Sequence, residues 1–129
     1  MAKKRQVVHV PGVPRHKNPI PNAVKLGNML FSSSIAGYDP KTGEVPKDAA
    51  AQVANAFVNV RQTMEAAGGT TDDIGRILFY VHDMSTRELL NKEWLKMFPD
   101  EDNRPVRKVL VSSIPKDLVV QIEVTAVVG

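Results

Sequence analysis

Apolar side chains in this chain switch between two spacings, and the switches mark out its elements. Over residues 118–128 they alternate. Leu118, Val120, Ile122, Val124, Ala126 and Val128 fall on one face of an extended strand, with Val119, Gln121, Glu123, Thr125 and Val127 on the other. The first face is fit to meet helices. The second, with an acid and an amide among valines, is too apolar for open water and too polar for a monomer core, so it is expected to face another subunit. Between Val53 and Met64 the spacing becomes helical, with Val53, Phe57, Val60 and Met64 on one stripe. Asp48 is placed to cap this helix and Gly68-Gly69 to stop it, while Ala50, Ala54 and Ala67 would let it lie close to a sheet. A second helix is predicted from Ser85, where Ser85-x-x-Glu88 has the spacing of a capping box. Its buried stripe would be Leu90, Trp94 and Met97, and Pro99 with Asp100-Glu101-Asp102 would end it.

The remaining segments read as strands and turns. Residues 6–10 form a short β-like run ending at Pro11-Gly12, and 13–21 read as an extended loop. Val24-Lys25-Leu26 leads through a two-residue turn, Gly27-Asn28, into a strand over 29–34. Residues 39–43 are a turn, and 76–82 are rich enough in β-branched and aromatic residues for a strand. The order is strand, strand, strand, helix, strand, helix, strand, strand. That order predicts an α+β single domain over 1–129, with 1–17 as N-terminal strand and loop. Its mixed sheet would carry two helices on one face, leaving the other for self-association.

Composition narrows the function classes. With 43% hydrophobic and 24% charged residues the chain is neither disordered nor collagen-like. The formal charge of +3 includes Lys3, Lys4, Arg5 and Lys17 near the N-terminus, which read as a solvated arm rather than a nucleic-acid face. There is no cysteine, hence no disulfide, thiolate metal site or cysteine nucleophile. No apolar run approaches the roughly 18–20 residues of a membrane span. The expectation is a soluble cytoplasmic protein without a membrane partner. His9, His16 and His82 lack ligand spacing, and His82-Asp83 would point to opposite faces of a strand, so neither a metal nor a cofactor is expected.

The candidate chemistry centres on Pro105-Val106-Arg107. Arg107 opens an otherwise apolar strand, and no acid stands between Asp102 and Asp117. A guanidinium cannot shed its charge, and burying it is costly unless an anion meets it. That anion could be a ligand carboxylate, Glu123, or a group from a neighbouring subunit.

Five segments in order, Leu26-Gly27-Asn28-Met29, Asp39-Pro40-Lys41-Thr42-Gly43-Glu44-Val45, Glu65-Ala66-Ala67-Gly68, Pro105-Val106-Arg107 and Ile114-Pro115-Lys116-Asp117, resemble the reactive-intermediate deaminase family, also called RidA, YjgF or L-PSP. The resemblance spans residues 18–128. It implies a chorismate-mutase-like fold, a homotrimer with clefts between subunits, and hydrolysis of enamines or imines such as 2-aminoacrylate to 2-oxo acids and ammonia. It implies that Arg107 holds the substrate carboxylate and that the backbone near Val109 meets the nitrogen. Gln121 stands where the family has a water-positioning glutamate, with Glu123 on the same face as a substitute. Asn91, Ser34 and Ile20 align with site asparagine, glycine and tyrosine positions.

The departures point to a specialised substrate. Gln121 can orient a water but cannot take its proton. Ser34 adds a side chain where the family has none, and Ile20 lacks a hydroxyl. The span from Arg107 to Pro115 is one residue short, a loss that fits the Ser112-Ser113 turn better than the strand, where it would reverse side-chain direction. Blander readings stand beside these. Gln121 could be an interface polar group, Asn91 a packing or capping hydrogen bonder, and Trp94 plain core. A non-catalytic metabolite- or protein-binding trimer is the competing function. RNA cleavage has no nuclease constellation to support it.

Overall fold

The computed structural model describes residues 3–12 and 18–129. Within them one sheet holds β1 (Arg5–Val8), β2 (Ala23–Leu26), β3 (Met29–Ser32), β4 (Ile35–Ala36), β5 (Ile74–Val81), β6 (Val106–Val111) and β7 (Gln121–Val127). Two α-helices accompany it, α1 (Ala49–Ala66) and α2 (Arg87–Met97). The spatial order is β1-β2-β3-β7-β5-β6, with β4 also on β7. Only β5–β6 is parallel, and α2 supplies the crossover that a parallel pair needs. Residues 13–17 of the expected N-terminal loop lie outside the described residues.

β7 holds the sheet together, pairing with β3, β4 and β5. Its even-numbered face is buried against the helices, as the alternation requires. Ladder pairing starts only at Gln121, later than expected, because Val119 gives its N–H to Gln52 Oε1 on α1 instead of to a strand. Gln52 is itself buried, and its amide also donates to the carbonyls of Pro46 and Asp117, both at 2.8 Å.

The third strand breaks earlier than predicted. Phe31 pairs with Thr125 and Ile35 with Ile122, so four steps on one side oppose three on the other. This is the count of a bulge, and Ser32 Oγ satisfies the orphaned N–H of Val124 at 2.8 Å. Joining β2 to β3, Gly27 adopts φ 58, which a two-residue hairpin turn demands at its first position.

Helix α1 is capped by Asp48, which accepts from Ala51 N–H. It ends in a Schellman motif: Gly69 donates to Met64 and Gly68, at φ 84, to Glu65. Of the alanines expected to permit close packing, only Ala67 is buried. Close approach occurs instead at Ala56 and at Gly37, where a Cβ would lie 2.0 Å from the Gln52 carbonyl oxygen. The capping box at Ser85 does not form. Asp83 takes the extended cap conformation and accepts from Ser85 N–H, opening a 3₁₀ turn, Met84–Thr86, that runs into α2. Hydrogen bonds from the Ser85 side chain and backbone hold the Asp83 carboxyl below its usual range, helped by His82.

Both helices cover the same sheet face. Phe79 of β5 meets Phe57 of α1 at 5.8 Å and Trp94 of α2 edge-on at 6.2 Å between centroids. On the opposite face Val7, Leu26, Phe31, Val127 and Val106 are 38–67% exposed, an open apolar surface across the width of the sheet. Among the described residues no helix is long and apolar enough to cross a membrane.

Gly37→Ala should cost at least about 2 kcal/mol of unfolding free energy by urea titration, because the blocking atom is backbone and cannot swing aside.

Candidate functional site

Arg107 lies on β6, an edge strand of the sheet, paired in register with Ile77 of β5. Ile77 is buried beneath the helices, so Arg107 projects to the helix side as well. The β5–β6 ladder runs without a shift from Arg76/Val106 to Val81/Val111. Any shortening relative to the family therefore falls after Val111, outside the strand.

Helix α2 receives the guanidinium. Nη2 of Arg107 donates to Oδ1 of Asn91. Its central carbon sits 4.9 Å from the Trp94 ring centroid and 5.9 Å from that of Phe79, close enough for cation–π attraction. Nη1 is buried and has no hydrogen-bond partner among the described residues. No carboxylate forms an ion pair with Arg107 among those residues either. Burial, and after it the charge of Arg87, lower the affinity of this group for its proton, yet a guanidinium stays cationic at neutral pH. The result is a fixed positive charge with one donor edge uncommitted. Such an edge is suited to a carboxylate, which accepts from a guanidinium through charge-assisted hydrogen bonds.

Val109, two residues on, shares the helix side and packs partly buried against the core. The other expected site residues lie elsewhere in the chain. Gln121 and Glu123 pair with Tyr80 and Leu78 and project from the open sheet face, away from Arg107. This removes Glu123 as an internal counter-ion for Arg107. Ser34 is exposed immediately before β4, whose Ala36 pairs with Gln121. Ile20 is exposed beside a cleft of about 280 Å³ shared with Val7, Val8 and His9. The expected site residues thus fall into two groups on opposite sides of the sheet: Arg107, Asn91 and Val109 on the helix side, and Gln121 and Glu123 on the open face, with Ser34 exposed next to the strand that pairs with Gln121.

His82 and Asp83 do structural work. His82 Nε2 lies 3.1 Å from the Pro115 carbonyl, and Asp83 is the cap described above. Among the described residues no three His, Cys, Asp or Glu side chains gather as a metal site would require.

Sequence reasoning placed Trp94 in the core and missed its second role as the platform under Arg107. The signal was available in part: Asn91 and Trp94 are three apart on one helix, hence on one face. Nothing local indicated that this face lies over β6.

The family model described as Endoribonuclease L-PSP matches residues 13–128. A RutC family protein of Haemophilus influenzae is 35% identical over 95% of this chain and 96% of its own length. The 2-iminobutanoate/2-iminopropanoate deaminase of Escherichia coli K12 is 37% identical over 84% of this chain and 87% of its own. Among solved structures, the YjgF gene product of E. coli superposes with a TM-score of 0.84 at 33% identity, covering 95% of this chain and 98% of that one. E. coli TdcF with bound serine gives 0.86 at 28% identity, covering 96% and 99%.

If Arg107 is kept for a ligand and not for the fold, Arg107→Met should unfold in urea at equal or higher free energy. A loss above about 2 kcal/mol would instead mark the arginine as a structural hydrogen bonder.

Proposed function

The chain belongs to the endoribonuclease L-PSP family, which includes proteins named RidA, YjgF and RutC, and from this premise we propose that it is a deaminase hydrolysing a small 2-imino acid, or its enamine tautomer, to a 2-oxo acid and ammonia. One observation carries the reading: a half-buried guanidinium whose Nη1 has no hydrogen-bond partner and which no acid pairs with among the described residues. The deaminase named among its relatives and the serine bound to TdcF agree with a small carboxylate as ligand.

The chemistry asks little of the protein. A protonated imine is already electrophilic at carbon. Arg107 binds the carboxylate and fixes the imine carbon in place, which contributes chiefly as orientation. Water adds to that carbon and its proton passes to the nitrogen. The carbinolamine then collapses: the C–N bond breaks, ammonia leaves with the nitrogen's three protons, and the hydroxyl proton passes to Glu123 or water as the oxygen becomes the ketone. Imine and water are consumed and 2-oxo acid and ammonia formed, with no redox change. In this reading the backbone at Val109 faces the nitrogen and Gln121 orients the water, with Glu123 as the nearby carboxylate that can exchange a proton. Positioned acid–base groups typically contribute on the order of 10²–10⁴-fold.

The two groups of site residues bear on assembly. They lie on opposite sides of one sheet, so a single chain cannot close both around one small molecule. A homotrimer, in which the Arg107 edge of one copy meets the open face of the next, would bring them together and cover Phe31 and Val127. Ser34 and Ile20 would then line the cleft from the second copy. A non-catalytic binding trimer is the alternative, favoured by an amide at Gln121 where the family has a carboxylate.

Arg107→Ala should lower kcat/KM for freshly generated 2-iminopropanoate at least 100-fold, read as ammonia release above the buffer rate, with an unchanged circular dichroism spectrum. Gln121→Glu should raise kcat about tenfold if hydrolysis is native. Equal, background-level rates in both variants and wild type would favour the binding trimer. Val127→Asp should abolish assembly in sedimentation velocity and activity together; an active monomer would overturn the shared cleft.

A further inference from the structure

Arg87 is the first residue of α2. Four and seven positions on stand Asn91 and Trp94, so the three side chains leave one helical face. That face is the one laid on Arg107, since Asn91 accepts its Nη2 hydrogen and Trp94 supports its plane. Arg87 is exposed, and among the described residues no carboxylate pairs with it. The acids of α2 do not serve it: Glu93 is engaged by Lys96 at 3.2 Å, and Glu88, the next residue, is turned about 100° away around the helix.

Two features make this placement unfavourable without a ligand. A cation in the first turn of a helix opposes the helix dipole, where an acid would be stabilising. It also stands near a second guanidinium, Arg107, whose cationic form its charge disfavours. Burial is the larger cause of the lowered proton affinity of Arg107, and the charge of Arg87 is the second among the described residues. Both features are relieved if an anion bridges the two cations. A 2-imino monocarboxylate brings one negative group, which Arg107 uses.

Resting on the deaminase reading of the Arg107 crevice, we propose that the substrate is a 2-imino dicarboxylate of four or five carbons, its 2-carboxylate held by Arg107 and its distal carboxylate by Arg87. Arg87 is then the specificity-determining residue. It sets the preference among imines and leaves the hydrolytic step to the rest of the site.

The stable 2-oxo acid products provide the test. Isothermal titration of the intact protein with 2-oxoglutarate and 2-oxobutanoate should show the diacid binding at least tenfold more tightly. Arg87→Leu should bring the diacid-over-monoacid ratio close to one, Arg87→Lys should keep part of it, and Arg87→Glu should invert it. The same order should appear in the KM, more than in the kcat, of ammonia release from imines generated in place from glutamate and from 2-aminobutanoate. Monoacid binding that depends on Arg107 but shows no diacid preference, or an Arg87→Leu ratio equal to wild type, would overturn this proposal and leave the deaminase reading intact. Binding of neither acid, in wild type and Arg107→Ala alike, would overturn both.

Discussion

A guanidinium held between an indole face and an amide oxygen, with no carboxylate among the described residues to neutralise it, is the constraint around which the rest of this molecule is arranged. Removing such a group from water is expensive, and the indole and amide recover only part of that cost. The fold tolerates it because β6 is an edge strand, where Arg107 is half covered instead of sealed in. An equivalent residue on β5 or β7 would sit where Phe79 and Ile122 are fully buried. Site and sheet order are therefore one design decision: the charge has to be at the rim.

The same sheet order divides the proposed site residues. Side chains on one β-strand alternate between faces, and strands in register share that alternation. Arg107 aligns with Ile77 on the covered side, while Gln121 and Glu123 align with Tyr80 and Leu78 on the uncovered one. No rotamer change moves a side chain through a sheet. Whatever chemistry combines these groups must combine two surfaces, and the open face already has the apolar character of a surface that seeks a partner.

Much of this architecture was legible in the residue pattern because it rests on local rules. The period of two in the last strand gave the correct buried face down to each residue, and Asp48 and Gly68-Gly69 bounded α1 within a residue. What was not legible depended on how elements cross. Ala56 and Gly37, not Ala50 and Ala54, make the close contact, because the segment after β4 passes over that side of α1. Asp83 displaces Ser85 as the cap because β5 leaves residue 83 extended, a property of the strand and not of the cap sequence. The arginine was found from its apolar setting, and its partner Asn91 from family resemblance. Trp94 beneath it required the register of a helix over a strand 13 residues away. That Gln121 and Glu123 face away from Arg107 could not be read either, since the irregular turn between β6 and β7 breaks the parity count.

The buried Gln52 clasp has a bearing on how this turn can vary. Its amide holds Asp117 and Val119 directly to α1, so the chain entering β7 is moored to the helix layer and not to the end of β6. The stretch from Ser112 to Pro115, tied to Val81 and His82 at its two ends, is thereby relieved of much of the work of aligning the two strands. A residue inserted between those ties would be taken up by the turn, leaving the arginine upstream and the strand downstream in their places.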